Sequence, residues 1–539
     1  MTYDFDALLD RVEKPARYTG GEMNAEVKPI SQAEISFAFC FPDTYEVAMS
    51  HLGMKILYGI LNELPYAVCE RVCMPWVDML CELRKSNIPL CSLESHTPLS
   101  RFDIIGFTLQ YEMSYTNVLE MMDLGGVPVL SSERGEDDPI VLAGGPCAFN
   151  PEPLHLFIDA FLIGDGEDSI VEVTDVLNAC KKEGVPRAER LKRLASLRGV
   201  YVPGFYHDEY NADGTLKSLE PTDPCAPPRV LRSILTDFEN AYAPTRPPVP
   251  YIQPVFDRIM LEIMRGCTRG CRFCQAGMLY RPVRERSVDK LVELAKESVK
   301  NTGYEEISLS SLSSSDYSCI SELAGRLTDE LRDQRVSLSL PSLRVDKFVQ
   351  DTLTHTQKVK KSSLTFAPEA GTQRLRDVIN KNVTEADLVN TLTNAFSNGW
   401  NAVKLYFMTG LPTETDEDLI GIAELAKTAA GAYYSVPKEK RVKGLRITCS
   451  AAVFVPKPFT PFQWCRQDDP ETVRRKQRLV REHFAPLKSA HFNYHDSGVS
   501  QIEAWFALGD RRLARVVHRA WQLGCRLGGW THQFRYNLG

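Results

Sequence analysis

The sequence predicts an α/β protein: an N-terminal open parallel sheet, then a partial β/α barrel, then a basic helical C-terminal segment. Three observations lead there. Short apolar runs alternate with segments of helical periodicity, several of those runs end in glycine turns, and nine prolines between Pro221 and Pro254 interrupt the pattern. A chain of 539 residues also exceeds what one core holds. The boundaries read as 1–220 for the first domain, 221–254 for a proline-rich linker, 255–465 for the barrel and 466–539 for the basic region.

In the first domain, residues 35–41 form an apolar strand ended by Pro42-Asp43. Residues 47–64 then carry one stripe through Leu52, Ile56, Leu57, Ile60, Leu61 and Leu64, the signature of a helix with one buried face. Strands follow at 103–109, 139–143 and 159–163, with a helix at 117–124. Gly144-Gly145-Pro146 and Gly164-Asp165-Gly166 close the last two strands. This alternation is Rossmann-like, and ligands of such sheets sit beyond the carboxyl ends of the strands. His51, in Met49-Ser50-His51-Leu52-Gly53, is either a satisfied helical side chain or an imidazole facing a ligand.

From residue 258 the alternation resumes, with strands at 259–264, 306–309, 336–340, 362–366, 402–407 and 445–455 and a helix at 288–301. Six strand–helix units favour a partial parallel barrel, whose working face lies at the strand carboxyl ends. Directly after the first of these strands stands Arg265-Gly266-Cys267-Thr268-Arg269-Gly270-Cys271-Arg272-Phe273-Cys274. Three thiolates at C-x3-C-x2-C can hold three irons of a cubane and leave the fourth open, whereas closed electron-transfer clusters take a fourth cysteine. Positions i, i+4 and i+7 also share a helix face, so three core thiols would look alike. Gly266 and Gly270 speak against a helix interior, and Arg265, Arg269 and Arg272 supply cations that favour thiolates. A structural zinc site wants a fourth ligand at paired spacing, and no second C-x2-C is present.

Further candidates lie at the other strand ends. Ser310-Ser311-Leu312-Ser313-Ser314-Ser315-Asp316 is either a run of ordinary turn formers or a polar pocket wall. Glu369, past the fourth strand, can accept both hydrogens of a vicinal diol, or serve as a helix N-terminal acid. Arg344 and Lys404 point into the barrel if the register allows, and each then needs an anion, from a ligand or a structural acid. Gly410-Leu411-Pro412-Thr413-Glu414-Thr415 lets the backbone come close to a ligand and caps the next helix. The prolines and aromatics of 455–464 form a pocket rim or a packed crossing segment.

In this order across 258–464, these motifs resemble the radical S-adenosylmethionine (SAM) superfamily, with a barrel similar to that of methylthiotransferases and elongator-type enzymes. Gly144-Gly145-Pro146 with Asn150-Pro151-Glu152-Pro153, and Gly164-Asp165-Gly166-Glu167, resemble the N-terminal domain of B12-binding radical SAM proteins. The chain as a whole resembles an uncharacterised family of those proteins. The resemblance implies a [4Fe–4S] cluster on Cys267, Cys271 and Cys274, with SAM closing the open iron through its amino and carboxylate groups. It further implies an external electron donor and cleavage of SAM to a 5′-deoxyadenosyl radical, which takes hydrogen from the substrate. The SAM contacts it implies are Phe273 near the adenine, Glu369 on the ribose, Lys404 towards the carboxylate and the turn with Gly410 and Pro412. Ser313 and Ser314 stand where the family has glycine-glycine-glutamate for the SAM amino group. Cobalamin is implied as well, although the cobalamin signature D-x-H-x-x-G is not matched around His51. The outcome implied is methyl transfer or a related modification, with RNA or a ribosomal component as substrate. The end at Gly539 is early for that family and implies a truncated last domain.

Composition bounds the alternatives. Hydrophobic content of 43% and charged content of 25% are those of a globular protein, and no run of about 18 apolar residues suggests a membrane span. The N-terminus lacks the pattern of a signal peptide, and fifteen cysteines in a chain this long read as reduced thiols, so the cytoplasm is the expected compartment. Net charge is −7, but residues 471–539 hold 12 Lys/Arg against 5 Asp/Glu, so that region is at +7 and the remainder at −14. The basic region is a solvated helix face or a nucleic-acid-facing one. Two non-catalytic readings stand beside the enzyme: an iron–sulfur redox or iron sensor, and an RNA-binding accessory protein.

Overall fold

Seven consecutive buried residues, Ile35–Phe41 (β1), start the first sheet. An unbroken apolar run of this kind is what a strand covered on both faces requires. The computed structural model describes residues 5–339, 364–530 and 533–534. They form two compact units, Met1–Asp257 with Gly509–Gly539, and Arg258–Leu508.

In the first unit β1 lies between Ala67–Cys73 (β2) and Ile104–Thr108 (β3). Ile140–Gly144 (β4), Ala160–Leu162 (β5) and Val200–Tyr201 (β6) extend the sheet in the order β2-β1-β3-β4-β5-β6. Only β6 runs antiparallel. Helices Leu52–Glu63, Glu167–Glu183 and Arg187–Ala195 share one core with the sheet through Leu61, Leu177 and Leu194. Gly106 is needed in β3, because a Cβ there would come within 2.6 Å of the Phe37 ring on β1.

Strand β2 departs from the sequence reading, which places no strand there. Its sequence Ala-Val-Cys-Glu-Arg-Val-Cys carries two charges at its centre, yet all seven residues are buried. Arg71 is held between Glu22 at 2.7 Å and Glu94 at 2.6 Å, and Glu70 accepts the Ser95 hydroxyl at 2.6 Å. Charges survive burial when they are paired in this way.

The proline-rich stretch packs into the first unit as an extended arm. Ser233 exchanges backbone hydrogen bonds with Ile163 and Asp165, and a Cβ on Gly59 would strike the Tyr242 hydroxyl at 2.0 Å. The basic region read as one helical segment over 466–539 divides instead. Helices Pro470–Phe484 and Ser497–Leu508 and the strand Ala490–Tyr494 belong to the second unit, whereas Gly509 onward belongs to the first. Helix Leu513–Gln522 lies against helix Tyr115–Leu124. Arg511 anchors this return: its guanidinium meets Glu152 at 2.6 Å, the Tyr201 hydroxyl at 2.9 Å and the carbonyls of Tyr206 and Pro203.

In the second unit Ile259–Glu262 (β7), Glu306–Ser310 (β8) and Ser337–Ser339 (β9) make a parallel sheet with β8 in the centre. A second parallel sheet runs Leu364–Glu369 (β10), Ala402–Thr409 (β11), Arg446–Val453 (β12) and Ala490–Tyr494 (β13) in order. The sequence suggests six strands here. Strand β13 is a seventh, and it breaks the helical reading of the basic region. Helices Val288–Thr302, Glu385–Ser397 and Asp416–Ser435 begin at Ser287, Thr384 and Thr415, whose hydroxyls cap them; the last two close full capping boxes with Asp387 and Asp418. Along β11 the burial alternates: Val403, Leu405 and Phe407 join the core with the helices, while Lys404 and Tyr406 take the opposite face.

Truncating Arg511→Ala removes a buried cation and leaves Glu152 with the Tyr201 hydroxyl but no counter-charge from Arg511. It is expected to lower the stability of the first unit by about 3 kcal/mol, read as a shift of the denaturant midpoint followed by circular dichroism.

Candidate cluster and cofactor site

The three cysteines lie in a loop closed at its base. Met264-Arg265 pairs antiparallel with Arg284-Glu285, so the chain from 266 to 283 leaves and re-enters at one point. Gly266 sits at φ +89, and a Cβ on it would meet the Tyr280 carbonyl at 2.6 Å and that of Pro282 at 2.7 Å. Only glycine takes this position without strain. Cys267 and Cys271 are buried and Cys274 is half-buried. The Arg269 N–H donates to Cys267 Sγ at 3.4 Å and the Gly277 N–H to Cys274 Sγ at 3.3 Å.

Burial raises the Cys274 pKa. The Gly277 N–H opposes that rise, charge on Cys271 and Cys267 adds to it, and the Lys381 ammonium pulls it down. Cys274 thus shares its surroundings with Cys271, Cys267 and Lys381. Among the described residues no three His, Cys, Asp or Glu side chains are placed to hold a single ion.

Side chains from neighbouring strand ends hold the loop. Arg269, between the first two cysteines, makes a two-pronged pair with Asp316 at 2.9 and 2.5 Å, while its carbonyl accepts from Arg281 at 3.0 Å. Asp316 in turn accepts the Ser313 hydroxyl at 2.8 Å. Ser313 and Ser314 are buried, and Ser314 donates to the Leu309 carbonyl at 3.0 Å. The serine run is therefore a brace for the cysteine loop, with both hydroxyls engaged inside the protein. On the other side the Arg272 N–H reaches the Ile379 carbonyl at 3.0 Å and Asn380 donates to the Gly270 carbonyl at 2.8 Å. Arg265 pairs with Glu262 at 3.0 Å. Arg265 and Arg269 are thus matched to carboxylates, and Lys381, which no motif marks, is a cation felt by the Cys274 thiol.

Glu369 ends β10 at a register shift, with φ +69. A non-glycine residue held there carries strain of order 1–3 kcal/mol. Burial holds its carboxyl above the usual range, although Lys381 at 3.2 Å pulls it down. Lys381 thus stands between Glu369 and Cys274. Phe273 packs on an apolar cluster of Leu375, Ile379, Leu411, Phe454 and Phe462, which joins the cysteine loop to the turn Gly410–Thr415. In that turn Gly410, at φ +82, donates to Glu414 at 2.8 Å, and Glu414 pairs with Lys476 at 2.8 Å. Pro412 is half-buried beside Thr413, which is itself at φ +66. Lys404 places its ammonium 4.8 Å from the centre of the Tyr406 ring. Arg344 lies outside the described residues.

In the first unit His51 caps helix Leu52–Glu63: its Nδ1 accepts the Met54 N–H at 3.0 Å. Burial lowers its pKa to about 4 against the opposing bond to Gln110. The ring is a neutral, satisfied helical side chain. Of the basic region's cations, Arg475 pairs with Asp416 and Lys476 with Glu414 and Asp468, while Arg474, Arg478 and Arg481 are exposed.

Comparison with known proteins follows the same division. Residues 53–203 match the family described as radical SAM proteins, N-terminal, and residues 261–426 match the radical SAM superfamily. An uncharacterized protein of Methanocaldococcus jannaschii, MJ0966, is 32% identical over 481 residues, covering 89% of this chain and 90% of that one. Among solved structures, the radical SAM methyltransferase TsrM from Kitasatospora setae, with cobalamin and a [4Fe–4S] cluster bound, superposes with a TM-score of 0.50 at 12% identity, over 79% of this chain and 76% of that one. The cobalamin-dependent SAM radical enzyme OxsB, with aqua-cobalamin and SAM bound, gives a TM-score of 0.53 at 15% identity; the match covers 83% of this chain but only 61% of OxsB. At these identities the likeness is one of fold.

If Asp316 holds the loop through Arg269, Asp316→Ala should weaken retention of reconstituted iron against a chelator by about tenfold or more. Asp316→Glu, which keeps the carboxylate, should recover most of it.

Proposed function

The chain belongs to the radical SAM superfamily, and on that premise we propose that it is an enzyme whose Cys267, Cys271 and Cys274 hold the [4Fe–4S] cluster at which SAM is cleaved. The observation that carries this reading is the loop closed at its base that carries all three cysteines, braced by Asp316 through Arg269 on one side and by Asn380 on the other. When bound, the cluster supplies the electron that splits a carbon–sulfur bond of SAM, and an external donor must replace that electron.

The protein's own residues bind and orient. Arg269, fixed through its side chain and both backbone groups, sets the spacing of the first two thiols. We assign Glu369 to the SAM ribose, because a half-buried carboxylate at a strand end can accept two hydroxyl hydrogens at once. Lys381 holds that carboxyl in place at 3.2 Å and opposes the rise that burial gives its pKa. Phe273 and the Gly410–Pro412 turn form the apolar side of the SAM site, and the Lys404 ammonium is the counter-charge for an anionic group. Ser313 and Ser314 donate their protons to Asp316 and the Leu309 carbonyl, which leaves oxygen lone pairs as acceptors for the SAM amino group.

For the outcome we propose methyl transfer or a related modification. The support for RNA or a ribosomal component as substrate is the row of exposed Arg474, Arg478 and Arg481, spaced to share one face of helix Pro470–Phe484. Cobalamin is the second cofactor we propose, held by the first unit. Its support is the fold shared with TsrM and OxsB, whose structures contain it. The first unit's sheet has the ligand crevice of a doubly wound fold, but His51 is spent as a helix cap, so a corrin there would bind without that imidazole. No helix among the described residues is long and apolar enough to cross a membrane.

Two measurements test the reading. Anaerobically reconstituted, reduced protein is expected to convert SAM into 5′-deoxyadenosine and methionine, and Cys271→Ala to hold no cluster and release neither. Glu369→Gln should keep its iron while weakening SAM about tenfold in equilibrium dialysis.

A further inference from the structure

The first sheet reverses direction of winding between β1 and β3, and that reversal is where doubly wound folds bind ligands. The segments leaving its carboxyl edge are Pro42–Thr44 after β1, Met74–Trp76 after β2 and Leu109–Tyr111 after β3. Gly145, after β4, closes in on them at φ +98, where a Cβ would lie 2.7 Å from the Leu109 carbonyl.

The end of the chain runs across this edge. Trp521 donates to Glu120 at 2.7 Å, and the Leu527 N–H donates to Asn117 at 2.7 Å. Asn117 is itself tied to the Pro42 carbonyl at 2.9 Å. Leu527 is fully buried and turns the chain at φ +51. Gly528 and Gly529 then pass Met113 and Tyr111, and Trp530 lies on the crevice: its Nε1–H donates to Asp43 at 2.9 Å, its ring meets Trp76 edge-on at 5.2 Å, and its carbonyl accepts from the Gln533 and Phe534 N–H groups. The segment has a buried anchor, two glycines, and an aromatic tip lying over the carboxyl ends of three strands. Two glycines between anchor and tip are what a hinge needs.

We propose that Leu527–Trp530 is a strap across the ligand crevice of the first unit, and that Trp530 must leave Asp43 and Trp76 before a corrinoid enters. This rests on the corrinoid reading given above. A ligand that binds only the open form has its affinity reduced by the open fraction, so loosening the tip should speed entry and tighten binding.

The test is hydroxocobalamin binding to the full chain, followed by stopped-flow absorbance and equilibrium dialysis. Trp530→Ala is expected to bind about tenfold faster and tighter than the unaltered chain, the size expected for losing a hydrogen bond to a carboxylate and a ring contact. Trp530→Phe, which keeps the ring and loses the N–H, should fall between the two, and it decides by the same criterion if Trp530→Ala does not fold. Equal rates and affinities would overturn the strap while leaving the corrinoid reading intact. Slower or weaker binding by the variants would make Trp530 a ligand contact and would also overturn it. Absence of binding by every form would overturn the corrinoid reading, and the strap with it.

Discussion

The paired contact between Arg269 and Asp316 is the constraint on which the site depends. The cysteine loop has no sheet ladder of its own beyond the two residue pairs at its base. Its shape comes from what grips it. Strands β7 and β8 are neighbours, with Leu261 opposite Leu309, so the cysteine loop and the serine turn leave the sheet side by side. Asp316 is therefore already within reach when the sheet forms, and a planar guanidinium met by two carboxylate oxygens fixes direction as well as distance. The backbone bond from Arg272 to Ile379 and the Asn380 amide on Gly270 hold the opposite rim.

Charge is distributed with the same economy. Of the arginines that crowd the cysteine run in sequence, Arg265 is matched to Glu262 and Arg269 to Asp316. Lys381 is shared between Cys274 and Glu369. One ammonium thus couples the sulfur side of the site to the carboxylate at the end of β10, and a change in either partner is felt by the other. The first unit uses the opposite device: Arg71 is enclosed by two carboxylates deep in a strand, where its work is structural.

Much of this was legible in the chain because backbone demands had already chosen the residues. Gly266 is required by the crossing at Tyr280 and Pro282, and the three cysteines follow at a spacing that a packed helix would not need glycine to achieve. The strand–helix alternation showed through for the same reason, since buried parallel strands must be apolar on both faces. What stayed hidden depends on pairing across long stretches of sequence. Strand β2 was obscured by Glu70-Arg71, whose burial makes sense only once Glu22, Glu94 and Ser95 are in place. Strand β13 was obscured by partial exposure and by the basic residues around it. Lys381 stands between two asparagines with no periodicity or motif to mark it, and its role arises from the bulge that turns Glu369 towards it. In the serine run the hydroxyl protons are taken by Asp316 and the Leu309 carbonyl, pairings that no local spacing shows.

The chain departs from the first unit at Asp257 and comes back at Gly509. On a ribosome, Glu152, Asn117, Glu120 and Asp43 emerge long before Arg511, Trp521, Leu527 and Trp530, the groups that complete them. The interval is the translation time of the entire second unit, on the order of ten seconds or more. The earlier-made half of the molecule is thus the later one to be finished, and a nascent chain passes through a stage in which the half that carries the cysteine loop is whole and the N-terminal half still lacks helix Leu513–Gln522.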